Sequence, residues 1–218
     1  MKWGDRKKMG AITPRVAAWL ALVGAGLVII TAPLAALADT PFSPGGWKAL
    51  PPYAAAMHDR LRPAFEFADP QWVLRLWEAP LALGFALIAA GAWPLGRWAH
   101  AADRLVGLLV YAATALLAAL ALGTGFEAAL GTDFPGTVLY FIATPLAPAV
   151  ACAAGVVALR RHALPRASAW ALTAAPLAMV ASATLLPQFP AGTGLGLALA
   201  WAAAVLAGRS WMFHHVGP

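Results

Sequence analysis

The chain has little charge and only one cysteine. Asp, Glu, Lys and Arg make up 11% of its 218 residues and hydrophobic residues 61%, where soluble domains run at about 25% and about 45–50%. A water-soluble globule of this length has no way to hide so much apolar surface, so that class is excluded. Cys152 is the single cysteine, and it sits inside an apolar run. That excludes an intrachain disulfide and any cysteine-built zinc site. Glycine-rich phosphate loops, a nucleophile elbow and a zincin helix are all absent.

The interiors of the apolar runs hold no Asp, Glu, Lys, Arg or His. Proton-coupled carriers and pumps place an ionisable relay at that depth despite its cost. A haem held between helices needs histidines there, whereas His100 and His162 stand at the ends of runs. No cofactor and no metal site are expected. The net charge of +6 does not indicate nucleic acid either, because the basic residues are not gathered into a patch with interleaved aromatics. They punctuate the apolar runs, and the partner this implies is the lipid bilayer.

Five charge-free intervals are present. Arg15 to Asp39 encloses 23 residues, Glu78 to Arg97 18, Arg104 to Glu127 22, Asp133 to Arg160 26, and Arg166 to Arg209 42. A helix crossing ~30 Å of hydrocarbon needs about 20 residues, so the last interval holds two spans. Their hinge is Pro187-Gln188-Phe189-Pro190-Ala191-Gly192. Unpaired backbone groups in hydrocarbon cost several kcal/mol each, which leaves helices or a closed barrel, and an alternating barrel pattern is absent. The expected fold is an all-α polytopic membrane bundle forming one domain over 1–218. Its six spans lie near 16–38, 79–97, 105–126, 136–159, 167–187 and 192–209, and its outer loop covers 39–78. Residues 1–38 also resemble a secretory signal, with Ala36-Leu37-Ala38 before Asp39. Cleavage there would leave five spans. The run from Val16 exceeds the roughly 7–15 residues of a signal core, which favours a retained helix.

With the N-terminus in the cytoplasm, Lys2, Arg6, Lys7, Lys8, Arg15, Arg97, Arg104, Arg160, Arg161, Arg166 and Arg209 fall inside. Lys48, Arg60, Arg62 and Arg75 fall outside. Eleven against four of the 15 basic residues is a positive-inside distribution. It places both termini in the cytoplasm, in a membrane of the bacterial inner-membrane type. Trp93 and Trp98 at an inner boundary, and Trp72 and Trp77 at an outer one, agree with an aromatic belt. Trp201 falls near the middle of the sixth span, where bulky packing against alanines accounts for it.

The outer loop is the one sizeable polar segment. Asp69-Pro70 marks a helix start, with Asp as N-cap and Pro at the first helical position, and Pro80 is expected to kink or restart that helix. His58 in the loop, with Glu127 and Asp133 from the second outer loop, is the candidate set for an acid–base or metal-assisted site. A solvated loop with ordinary charges is the plainer account. The loop also carries Trp47, Tyr53, Phe65, Phe67, Trp72 and Trp77, more aromatic surface than a water-facing segment tolerates, and so a surface for a membrane-protein partner or a second copy.

Inside the spans, Pro145, Pro148 and Pro176 each remove the helix bond to the carbonyl four residues earlier, at Phe141, Thr144 and Leu172. Broken helices line binding cavities in carriers, and Tyr140, Thr144 and Thr173 are the polar groups nearby. Kinks of this kind are also re-satisfied by neighbouring helices. The leading expectation is a non-catalytic membrane component: a scaffold, assembly factor or accessory subunit. The alternatives are a permease for a small neutral or amphipathic solute, lined by the proline-kinked fourth and fifth spans, and an enzyme with its site on the outer face.

Overall fold

A backbone in hydrocarbon has to bond to itself, and within the described residues the regular structure of this chain is all helix. The computed structural model describes residues 12–39, 70–130, 136–185 and 198–208, with the backbone alone for 14, 32–39, 70–77, 136, 137, 140 and 183–185. The helices are α1 (Pro14–Asp39), α2 (Pro70–Ala102), α3 (Arg104–Leu130), α4 (Gly136–Arg161), α5 (Arg166–Thr173), α6 (Ala175–Leu185) and α7 (Ala198–Gly208). No strand occurs among the described residues. Three stretches are long and apolar enough to cross a membrane: Glu78–Ala102, Arg104–Leu130 and Phe141–Arg161. Arg15–Thr31 and Ala198–Gly208 are shorter apolar helices.

Two proline effects differ from one another. α2 begins at Pro70, where the Asp-Pro pair marks a start, and then runs for 33 residues through both Pro80 and Pro94. Pro80 therefore does not restart the helix, because each proline removes one bond and the remaining ladder carries the helix past it. α4 likewise continues through Pro145 and Pro148. Pro176 has a larger effect. The stretch expected as a fifth span divides into α5 and α6 at Ala174, whose N–H donates to the Trp170 carbonyl at 2.9 Å while its own carbonyl accepts from Ala178 at 2.9 Å.

The helices pack by size. Most of the buried hydrophobic residues are alanines, and Trp201, Phe85, Leu81 and Ile88 are the largest side chains fully enclosed. On α4 the buried positions Ala143, Ala147, Ala151, Ala154 and Ala158 recur every three to four residues, one face of the helix. Large apolar side chains point outward instead, with Ile30, Leu122, Phe141 and Leu177 all more than half exposed. Lipid tails are as apolar as leucine, so helices associate in a membrane through close backbone approach between small residues. The α1–α2 seam shows it: a methyl group on Gly24 would stand 2.6 Å from the Gly84 carbonyl oxygen, and one on Gly91 2.6 Å from that of Ala17. Any side chain there would push the helices apart.

α1 and α2 are antiparallel, since Gly24 meets Gly84 while Ala17 meets Gly91. α2 and α3 are also antiparallel, with Gly96 against Tyr111 and Gly125 opposite Ala82. α3 packs on α4, which packs on α5 and α6. α7 returns to the bundle where the Ser168 hydroxyl donates to the Ala204 carbonyl at 2.8 Å and Gly208 lies against Leu95. This order brings Arg15, Arg97, Arg104, Arg160, Arg161 and Arg166 to one end of the bundle. Glu78 and Glu127 lie toward the other.

The basic end is tightly made. Asp103 alone links α2 to α3. Its Oδ1 accepts from the Leu105 and Val106 N–H groups at 2.9 and 3.1 Å, capping α3. Its Oδ2 accepts from Arg161 at 2.8 Å, which ties the start of α3 to the end of α4. The Arg161 hydrogen bond, reinforced by the Val106 N–H, holds the Asp103 carboxyl below the usual aspartate value. So sharp a turn presses the start of α3 onto the end of α2, and a Cβ at Gly107 would enter the His100 backbone. α4 ends with His162 at φ 55° and the Ala163 N–H donating to the Ala158 carbonyl at 3.2 Å. That six-to-one bond is the usual left-handed helix stop, here without glycine.

Candidate functional site

The outer-face set is only partly within the described residues. His58 and Asp133 lie outside them. Glu127 sits half-buried near the end of α3. Among the described residues no three His, Cys, Asp or Glu side chains group closely enough to hold a metal ion. Four members of the aromatic loop surface, Trp47, Tyr53, Phe65 and Phe67, also lie outside the described residues. Trp72 and Trp77 fall on the first turns of α2, of which only the backbone is described.

The proline-lined set is better resolved. Thr144 is buried at 2% exposure on α4, and its hydroxyl has no hydrogen-bond partner among the described residues. Pro148 is buried, one turn further on, and Pro145 is exposed. Because Pro148 has no N–H, the helical donor to the Thr144 carbonyl is missing as well. Buried polar groups are ordinarily bonded, and each exception in a folded protein calls for a reason. Thr173 is in a different position. Its hydroxyl donates to the Ala169 carbonyl at 2.8 Å, and it lies against Gly155 in the α4–α5 contact. Pro176 is half-buried beyond the break at Ala174. Tyr140 lies on α4 with its backbone alone described. The prolines therefore stand near a buried Thr144 hydroxyl without a partner among the described residues and a half-buried Thr173 hydroxyl that is bonded.

Two features escape a reading by charge-free intervals. Trp201 is fully buried, as bulky packing requires, but its indole N–H has no partner among the described residues. The second is an apolar groove of about 450 Å³ between α2 and α3, lined also by Ile12 ahead of α1. Ala86, Ala90 and Trp93 line one wall, and Ala115, Ala118 and Leu122 the other. Thr114 is its one polar lining residue, and that hydroxyl is already committed to the Val110 carbonyl at 2.8 Å. At the basic end of the groove Trp93 and Tyr111 stand with ring centroids 4.8 Å apart and tilted by 53°. His100 lies on the other side of Tyr111, at 6.3 Å. The alanine spacing on both walls is visible in the sequence, but so many alanines occur that it stands out only once the pairing of α2 with α3 is known.

Comparison with protein-family models, with curated proteins and with solved structures gives no match.

Proposed function

We propose that the chain is a non-catalytic integral component of a bacterial cytoplasmic membrane: a scaffold, assembly factor or accessory subunit. In this reading it spans the membrane six times, with its basic end and both termini in the cytoplasm and 39–78 forming an outer loop. The observation that supports it is the placement of charge. In the described spans every Asp, Glu, Arg and His lies toward a helix end, and the interior is packed with alanines. Such an interior supplies no chain of ionisable side chains for a proton relay. What the chain offers a partner is surface, above all the loop aromatics. Anchors of that kind contribute roughly 2 kcal/mol or more each at protein interfaces.

Purification in mild detergent tests the reading. A stoichiometric membrane-protein partner or a defined homo-oligomer is expected, weakened by Phe65→Ala with Phe67→Ala while insertion is unchanged. A monomer that alone transports or turns over a solute contradicts it.

One observation supports a permease as the second reading: the buried, unpartnered Thr144 hydroxyl beside Pro148. A small neutral solute bearing a donor and an acceptor would satisfy the hydroxyl and the carbonyl of Thr144 together. Thr144→Val keeps the shape and removes the hydroxyl. Unchanged solute flux in vesicles with that variant would end the permease reading.

A further inference from the structure

The geometry points to the α2–α3 groove as a binding site for one anionic phospholipid of the leaflet at the basic end, with an acyl chain in the groove and the phosphate held between Arg97 and Arg104. This inference rests on membrane placement alone and is independent of the partner reading. Size is the first argument. At roughly 30 Å³ for a water-sized group, about 450 Å³ has the volume of around 15 methylenes, enough for the stretch of an acyl chain that runs along it. A helix some 10–12 Å across displaces about twice that volume over the two turns the groove covers, so it would ride over the groove without filling it.

Depth is the second argument. From Ala86 to Trp93 the groove covers seven residues, about 10 Å along α2, and so falls within one leaflet of ~15 Å. Its lining is aliphatic apart from Thr114, whose hydroxyl is already bonded, and Trp93.

Charge is the third argument, and it selects the headgroup. Arg97 lies eleven residues beyond Ala86 on α2, and Arg104 eleven residues before Ala115 on α3. Eleven residues make three helical turns, with an offset of only about 20°. Each wall of the groove therefore carries an arginine on its own face, Arg97 one turn beyond Trp93 and Arg104 about 9 Å further toward the basic end by the pairing of Gly96 with Tyr111. Both arginines are exposed. The Asp103 carboxylate between them in sequence is engaged by Arg161, so among the described residues it does not neutralise either one. Trp93, half exposed and stacked near Tyr111, occupies the level where amphipathic rings meet headgroups.

Native mass spectrometry of the detergent-purified chain, incubated with an equimolar mixture of phosphatidylglycerol and phosphatidylcholine of identical acyl chains, tests this. Retention of one phosphatidylglycerol, favoured at least about 10-fold over phosphatidylcholine, is expected, since each surface arginine attracts anionic lipid appreciably. Arg97→Gln with Arg104→Gln should bring the ratio close to one. Ala86→Phe, which fills the groove from an exposed position, should lower retention of both lipids at least about 5-fold. Ala115→Phe on the facing wall repeats that test should the first variant fold poorly, and Ala153→Phe on the exposed face of α4 should leave retention unchanged. Equal retention of the two lipids by the unmodified chain overturns the proposal. So does full retention by both groove-filling variants, or displacement of lipid by a second copy of the chain.

Discussion

The α2–α3 pair is closed at one end and open at the other. At the basic end one residue joins the helices, and a methyl group at Gly107 would enter the His100 backbone. Toward the acidic end the same seam leaves room at Gly125, where an added methyl would first meet Ala82 Cβ at 3.8 Å, an ordinary contact. Both positions are glycine, yet only one needs to be. A one-residue connection forces the backbones together beside it and lets them separate further along, and the apolar groove lies in the region between. The basic end is thus specified by local chemistry: a cap, an ion pair, a left-handed stop and a hydroxyl-to-carbonyl bond. The other end leads into 40–69, 131–135 and 186–197, where the chain is longer and its aromatic content higher.

The sharpest way to break this contrast is to fill both glycines. Gly107→Val should destabilise the protein by about 3 kcal/mol, the upper part of the range for overpacking against backbone. Gly125→Val should cost no more than about 1 kcal/mol. Thermal midpoints in detergent report the difference, and equal losses would mean that the turn does not control the seam.

Asp103 comes next. Asp103→Ala removes the cap of α3 and its tie to α4, and should lower the midpoint by several degrees. Asp103→Asn keeps an acceptor for the Leu105 and Val106 N–H groups, and should lose less. The pH dependence follows from the depressed carboxyl. A group whose folded-state value is lowered stabilises fully above its unfolded value, and that contribution disappears as pH falls through the folded value. Stability should therefore decline on acidification below about pH 4, and the Asp103-dependent part of that decline should be missing from Asp103→Asn.

The smallest expected effects belong to the end of α4. His162→Gly should stabilise by up to about 1 kcal/mol, because glycine adopts positive φ without a Cβ clash. Arg161→Gln should cost only about 0.5 kcal/mol, since that side chain is 52% exposed and water screens the pair. A loss at His162→Gly would show that the imidazole makes a contact that outweighs the backbone gain.

Much of the helix layout was legible because charge punctuates it. Arg104, Arg160 and Arg166 stand at or next to helix ends, where a charged group avoids hydrocarbon. Pro70 opens α2 because its fixed φ suits the first helical position. Pro80 does not restart the helix, because a proline removes one hydrogen bond and a long helix absorbs the loss. Pro176 does divide its span. The buried faces were harder to read. In water a helix shows its buried side by hydrophobicity, but here both sides are apolar and only residue size separates them, as on α4, where alanines face the bundle and Phe141, Ile142 and Leu146 face outward. Ala151 and Gly155, four residues apart, lie on the buried face of α4. The groove was not legible at all, since it depends on which faces of α2 and α3 the Asp103 turn sets opposite each other.

Orientation is the claim on which the rest depends, and site-directed labelling measures it directly. In a Cys152→Ala background, single cysteines replace Ala102 and Ala167 at the basic end and Ala129 near the end of α3, all three exposed. A membrane-impermeant maleimide is then applied to intact cells and to permeabilised ones. Cysteine at position 129 should label in intact cells, while cysteines at 102 and 167 should label only after permeabilisation. Labelling of 102 and 167 in intact cells, with 129 protected, would contradict the account.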